Sequence, residues 1–174
     1  MDGYKICIFA YGQTGSGKTY TMEGEGINNR GLIPRSLEKI FSVKSKLEAL
    51  GWVFNLEASC FEIYMDQVQD LLTKNPNNII SNNNKNDKTL ISIQKIEDFH
   101  EVLFLAANKR AVAETLCNEK SSRSHFVFQV KITGSNSKSN EERFGALNLI
   151  DLAGSERIAK SKVEDERFIF FYNF

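Results

Sequence analysis

Residues 12–19 read Gly12-Gln13-Thr14-Gly15-Ser16-Gly17-Lys18-Thr19, a complete G-x-x-x-x-G-K-[ST] phosphate-binding loop. Its chemistry follows from the residue types. The glycines let backbone N–H groups turn inward around phosphate oxygens, and the helix that follows aims the positive end of its dipole at the same anion. Lys18 is placed to reach the β- and γ-phosphates, and the Thr19 hydroxyl to ligate Mg²⁺. A triphosphate hydrolase also needs a second carboxylate on the Mg²⁺ side and elements that sense the γ-phosphate. Leu147-Asn148-Leu149-Ile150-Asp151 is an apolar strand ending in such a carboxylate, and Gly154 follows with a bare backbone N–H for the γ-phosphate. A third segment, Asn118-Glu119-Lys120-Ser121-Ser122-Arg123-Ser124-His125, gathers an amide, hydroxyls and an arginine at a strand entrance. Alone it is a polar turn with helix-capping character. Behind a phosphate loop, its hydroxyls can ligate Mg²⁺ or hold an attacking water, and Arg123 can pair with a carboxylate. The loop thus implies a nucleoside triphosphate without saying which one.

The elements that must position these groups are legible in outline. Tyr4 to Ala10 reads as a buried strand feeding the loop, with a short helix from about Gly17. Ile33, Leu37, Ile40, Phe41, Leu47 and Leu50 keep helical spacing behind Pro34, and Gly51 supplies the stop. Phe54, Leu56, Ala58 and Cys60 alternate as a strand, and the change of apolar face at Phe61 and Ile63 predicts a bulge or bend near Cys60. Residues 75–88, rich in asparagine and lysine, read as a disordered surface loop. A second helix is expected from Glu97 to Val112, its acids at the start and Lys109 and Arg110 at the end, as the dipole favours. Phe126 to Ile132 and Leu147 to Leu152 read as further strands, separated by a polar turn from Gly134 to Glu142. Strands alternating with helices predict an α/β domain with a mainly parallel or mixed sheet.

Composition narrows the function classes. The chain has 174 residues, enough for one domain with a real core, and a formal net charge of zero, so no overall basic field argues for nucleic acid. Cys7, Cys60 and Cys117 are widely spaced and odd in number; they read as small buried residues rather than a disulfide or zinc framework. His100 and His125 have no ligand partner at metal spacing. There is no signal-peptide pattern and no apolar stretch of about 20 residues, so a soluble cytosolic protein without membrane or nucleic-acid partners is expected.

The order of the three segments, with Ile8-Phe9-Ala10-Tyr11 before the loop, Tyr20-Thr21-Met22 after it, Glu62-Ile63-Tyr64 and Asp70-Leu71-Leu72, resembles the kinesin motor domain over about Asp2 to Lys160. Gly31 to Leu37 and Ser124 to Phe128 look most like the minus-end-directed subfamily with C-terminal motors. The resemblance implies a P-loop NTPase fold with a central mixed β-sheet flanked by helices. It implies ATP and Mg²⁺ as ligands, microtubules as partner, and the cytoplasm and cytoskeleton as location. Carried over residue by residue, Gly12, Gln13, Thr14, Gly15, Ser16, Gly17, Lys18 and Thr19 bind the phosphates, and Tyr20 packs on the adenine. Asn118 to His125 becomes the first switch, with Ser121 near the lytic water and Ser122 near Mg²⁺. Asp151 to Glu156 becomes the second, with Gly154 sensing the γ-phosphate and Glu156 pairing with Arg123. Thr19, Ser122 and Asp151 are then the metal side of the site.

The sequence also departs from the family. Kinesin motors open with an Arg-x-Arg-Pro segment that packs on the adenine, whereas Pro34 and Pro76, the only prolines, lie in other contexts. Residues 161–174, ending Phe168-Ile169-Phe170-Phe171-Tyr172-Asn173-Phe174, look unlike the helix and loops that make most of the family's microtubule contact, and Met65 replaces the Asn that commonly follows Glu-Ile-Tyr. The expectation is a motor domain truncated at both ends, with exposed sheet edges, low stability and no motor activity of its own. The competing reading is a non-catalytic or vestigial nucleotide-binding fragment without the microtubule-binding face. A third, a GTP-binding switch, draws on Asn84-Lys85-Asn86-Asp87, which has the N-K-x-D form; its place before Asp151 and the lack of an apolar strand leading into it count against that reading.

Overall fold

The computed structural model of the chain describes residues 1–26, 28–65, 67–74, 79–80, 88–115 and 121–157. The apolar run ahead of the phosphate loop is strand β1 (Lys5–Ala10), and the loop opens into a five-residue helix, α1 (Lys18–Met22). A ribbon of β2 (Gly24–Glu25) and β3 (Asn29–Arg30) leads into α2 (Leu32–Glu48). The chain continues through β4 (Trp52–Tyr64), β5 (Gln67–Asp70), β6 (Ile79–Ile80), β7 (Ile91–Ser92) and α3 (Ile96–Thr115). The last two strands are β8 (His125–Asn136) and β9 (Glu141–Asp151).

Seven of these strands form one sheet in the order β1-β9-β8-β4-β5-β6, with β7 paired to β4. The sheet is mixed, as expected, but only β1 and β9 run parallel; the other described pairings are antiparallel. Short connections decide this. The β4–β5 and β8–β9 hairpins leave no room for the crossover that a parallel neighbour needs. β8 and β9 are also longer than their apolar cores. Gly134, Ser135 and Asn136, expected in a polar turn, extend the ladder opposite Arg143, Glu142 and Glu141.

The three described helices close over one face of the sheet. Met22 of α1, Ile33 and Leu37 of α2, and Phe99, Val102 and Ala106 of α3 pack on Leu56, Ala58, Cys60, Phe128, Val130 and Leu149. Phe99 meets Phe128 edge-on with ring centroids 5.6 Å apart. On the other face Phe61, Val68, Ile80, Val127 and Ile150 form a second, smaller cluster. That cluster removes the expected bulge near Cys60. The β4–β8 register runs unbroken from Trp52 opposite Asn136 to Ile63 opposite His125. Cys60 and Phe61 are both apolar because this end of the strand is buried on both faces. Ile79 and Ile80 correct the reading of 75–88 as one loop, since Ile80 pairs with Val68 and buries in the second cluster.

Three further expectations shift. Leu50, the last member of the α2 stripe, is exposed beyond the helix end. Lys109 and Arg110 do not end α3, which runs on to Thr115; they make tertiary contacts instead. The Lys109 ammonium donates to the Thr73 carbonyl, and Arg110 pairs with Glu23 at 2.6 Å while its guanidinium lies 4.6 Å from the Phe126 ring centroid. At the start of α3 the dipole argument holds: Asp98 accepts from the Gln94 and Lys95 N–H groups, which lowers its pKa. Among the cysteines, Cys60 is buried, and burial followed by the Asp70 and Glu23 charges pushes its thiol well above the usual range. Cys7 is exposed, because β1 is the edge strand of the sheet, with Tyr4 and Phe9 exposed beside it. Cys117 lies outside the described residues. No described helix is long and apolar enough to cross a membrane.

Met65 sits in the left-handed region at φ 49 in the turn after β4, with its side chain exposed. The β8–β9 turn uses the same conformation at Asn140, φ 54, where an asparagine tolerates it. Met65→Asn is therefore expected to stabilise the chain by about 0.5–1 kcal/mol, raising Tm by about 1–4 °C in a thermal melt. An unchanged or lower Tm would show that the turn stores no such strain.

Candidate functional site

The site forms where the only parallel pair among the described strands ends. In the β1–β9 register Ala10 lies opposite Asp151, so the strand that feeds the phosphate loop delivers its last residue beside the buried carboxylate. This is the carboxyl end of adjacent parallel strands, where α/β sheets place their ligands. Gly17 stands at the N-cap of α1 with φ 86 and offers no side-chain cap, leaving the first N–H groups of α1 to an anion. Because α1 has only five residues, its dipole is weak; loop N–H groups and the Lys18 charge carry most of the attraction. Lys18 Nζ donates to the Gln13 carbonyl at 2.9 Å, folded back along its own loop. Tyr20, expected to pack on a base, is exposed on α1.

Loop and strand are joined by one short hydrogen bond. Thr19 Oγ1 donates to Asp151 Oδ2 at 2.5 Å. The second carboxylate oxygen, Asp151 Oδ1, is buried without a hydrogen-bond partner among the described residues, as is Ser124 Oγ. An orphaned carboxylate oxygen next to a threonine hydroxyl is a hard oxygen donor set, the kind that suits Mg²⁺. The residues present therefore fit the metal.

After Asp151 the chain is stitched to both neighbouring segments. Ala153 N donates to His125 Nδ1 at 3.0 Å, so that ring nitrogen carries no proton. Gly154 N donates to the Ser122 carbonyl at 3.1 Å, and Ser155 N to the Gly12 carbonyl at 3.0 Å. The structure thus brings Ser122 and His125 to the segment that holds Asp151, Gly154 and Glu156. Ser121 and Arg123 lie in the same short turn; Asn118 is outside the described residues, as are Asn84 to Asp87.

Glu156 is placed differently from its expected pairing with Arg123. Its Oε2 accepts from the Thr14 N–H at 3.0 Å, and its Oε1 accepts from the Thr14 hydroxyl. A Cβ added at Gly154 would overlap both the Glu156 carboxylate and the Thr14 hydroxyl, so only glycine permits this approach. Sequence reasoning missed the Thr14 contact, because a short polar side chain in a glycine-rich loop gives no signal of a partner so distant in sequence. It also missed the His125 acceptor and the buried Ser124, both of which lie inside a motif it had singled out.

The Thr14 hydroxyl bond, the backbone N–H bonds and then the Lys18 charge hold the Glu156 carboxyl down at about 2, against 4.5 for a free glutamate. The folded value lies below the unfolded one, so this contact contributes fully above about pH 4.5 and is lost as pH falls towards 2. A carbon-detected NMR titration of the Glu156 carboxyl is expected to give a midpoint near 2, moving up in Thr14→Val. A midpoint near 4.5 would mean that the contact does not persist in solution.

Comparison with known proteins fits this geometry. The chain matches the kinesin motor domain family over residues 1–169, past Lys160 and into the segment that looks unlike the family by eye. It is 44% identical to the Kinesin-like protein KIN-14M of Arabidopsis thaliana and 43% identical to Carboxy-terminal kinesin 2 of Xenopus laevis. Each alignment covers 96% of this chain but only 25% and 28% of those proteins. Among solved structures, a fast kinesin analysed for its ATPase mechanism and its interactions with microtubules superposes with a TM-score of 0.81 at 36% identity, over 97% of this chain and 50% of its own. The chain spans about a quarter of the length of these relatives and half of that solved structure. It belongs to the kinesin motor domain family, and the relatives similar to it in sequence include C-terminal-motor kinesins.

Proposed function

We propose that the chain binds Mg·ATP at the Gly12–Thr19 loop and that ATP hydrolysis there serves microtubule-based movement in the cytoplasmic cytoskeleton. The observation that carries the reading is the Thr19–Asp151 hydrogen bond, which joins the phosphate loop to a buried carboxylate whose other oxygen has no partner among the described residues. Family membership and the C-terminal-motor relatives support ATP as the nucleotide and the microtubule as the partner.

In this reading Lys18 leaves the Gln13 carbonyl for the β- and γ-phosphate oxygens, replacing one oxygen acceptor by a charged one. Thr19, Ser122 and Asp151 would hold Mg²⁺, which when bound would neutralise phosphate charge. Ser121 positions the lytic water. The Gly154 N–H exchanges the Ser122 carbonyl for the γ-phosphate, which draws the segments at 121–125 and 151–156 together and lets Arg123 reach Glu156. No side chain in this set acts as a strong base. The rate enhancement is assigned to positioning and to fixed donors around the transferring phosphoryl group.

Calorimetric titration of the 174-residue chain with Mg·ATP is expected to give saturable binding, weakened at least about tenfold in Lys18→Ala and weaker for Mg·GTP in the native chain. Absence of binding by the native chain would overturn the reading. Binding without ATP turnover, with or without microtubules, would establish instead the non-catalytic fragment.

A further inference from the structure

We propose that Glu156 competes with the nucleotide's phosphates for the phosphate loop, so that this carboxylate sets how readily an anion enters the site. The inference rests on the Mg·ATP reading of the loop. The N–H groups of such a loop are anion donors by construction. In this chain one of them, Thr14 N–H, already holds an anion: Glu156 Oε2 at 3.0 Å, with the Thr14 hydroxyl donating to the other oxygen. The Lys18 charge acts on the same carboxylate. Four features built into the chain hold it there. The Ser155 N–H anchors the adjacent backbone to Gly12, inside the loop. Gly154, preceding it, leaves the space that any side chain would fill. Thr14 supplies a hydroxyl where most residue types would offer only the backbone N–H. The short helical turn Ser155–Arg157 carries the carboxylate.

Two anions cannot share one N–H, so a phosphate that uses the Thr14 donor must first displace Glu156. Glu156 therefore has two successive partners: Thr14 while the loop is closed by the carboxylate, and Arg123 once the phosphates have taken the loop. Its release couples filling of the cradle to closure of the two switch segments, because the same side chain serves both contacts. A carboxylate that acted only through Arg123 would leave affinity for a diphosphate unchanged, since no γ-phosphate would be present to draw the switches in. A carboxylate that competes for the loop weakens binding of a diphosphate as well.

The discriminating measurement is the dissociation constant of fluorescent Mg·ADP for the native chain, Glu156→Gln, Glu156→Ala, Thr14→Val and the Thr14→Val/Glu156→Ala double variant. Both single Glu156 variants are expected to bind about two- to fivefold more tightly than the native chain, with the gain in association rate; that is the scale of one exposed charged contact. In the Thr14→Val background the Glu156→Ala gain is expected to shrink, because the two residues act through each other. Glu156 is exposed, so neither substitution disturbs a core, and the near-isosteric Gln keeps the test valid should Ala perturb the turn. Native binding with unchanged or weaker affinity in both Glu156 variants overturns the proposal and leaves the nucleotide-site reading intact. Failure of every form to bind overturns both.

Discussion

The parallel register of β1 with β9 is the constraint on which the rest of the structure depends. Ala10 opposite Asp151 sets the phosphate loop and the buried carboxylate side by side, and a hydrogen bond from Thr19 closes the gap. A slip of one residue would turn Asp151 to the other face of the sheet and present Ile150 or Leu152 to the loop. Register is set by burial rather than by the pair itself. Leu147 and Leu149 face the helices while Ile150 faces the second cluster, so both faces of β9 resist a slip. β9 is further locked by its ladder with β8 from Asn136–Glu141 to Phe126–Asp151, and β8 by its ladder with β4. The site thus stands on three long central strands, while its loops lie at their ends.

Two polar devices hold the periphery to that frame. Asp70, fully buried, accepts from the Leu72 N–H through one oxygen and from the Thr89 N–H through the other. The asparagine- and lysine-rich stretch leaves and returns between those two residues, so its base is pinned by one carboxylate whatever its composition. Arg110 does comparable work on the helix side. It pairs with Glu23, which caps the end of α1, and lays its guanidinium over Phe126, which stands opposite Asp151 in the ladder. The element that follows the phosphate loop is in this way tied to α3, whose chain runs on towards Ser121. A neutral polar pair in the same place would make the weaker bond, since charge assistance roughly doubles the strength of a hydrogen bond.

What the sequence made legible was chemistry confined to short windows. The loop from Gly12 to Thr19, Asp151 at a strand end, the α2 stripe and the acidic start of α3 each rest on a local rule, and the structure follows those rules. The misreadings concern groups whose role is set by a distant neighbour. Lys109 and Arg110 suit a helix end by charge, but tertiary acceptors at Thr73 and Glu23 claimed them. The change of apolar face near Cys60 has two causes that look alike in one dimension, a bulge or burial on both faces, and only Val68, Ile80 and Val127 on the second face separate them. Ile79 and Ile80 were outvoted by the asparagines around them, although an apolar pair is enough to add a strand to an edge. Thr14 and Glu156 are far apart in sequence, and no periodicity connects them.

The contrast between the sheet and the segment after Asp151 explains how one fold can be both rigid and responsive. β9 is fixed by two ladders and two apolar faces, so moving it would break many bonds at once. From Ala153 to Glu156 the chain is held by isolated hydrogen bonds: Ala153 donates to His125, Gly154 to Ser122 and Ser155 to Gly12, while Glu156 accepts two from Thr14. Each has a modest net worth and can be exchanged for another polar partner at small cost, provided a donor or acceptor replaces it. Several use N–H donors that a phosphate would also seek, and they join the phosphate loop to the turn at Ser121–Arg123. A ligand that takes even one of these donors alters the balance for the others, because they lie on consecutive residues of one short stretch. This stitched segment is thus the described part of the site held by exchangeable contacts, and the strands behind it are the surface fixed by continuous ladders.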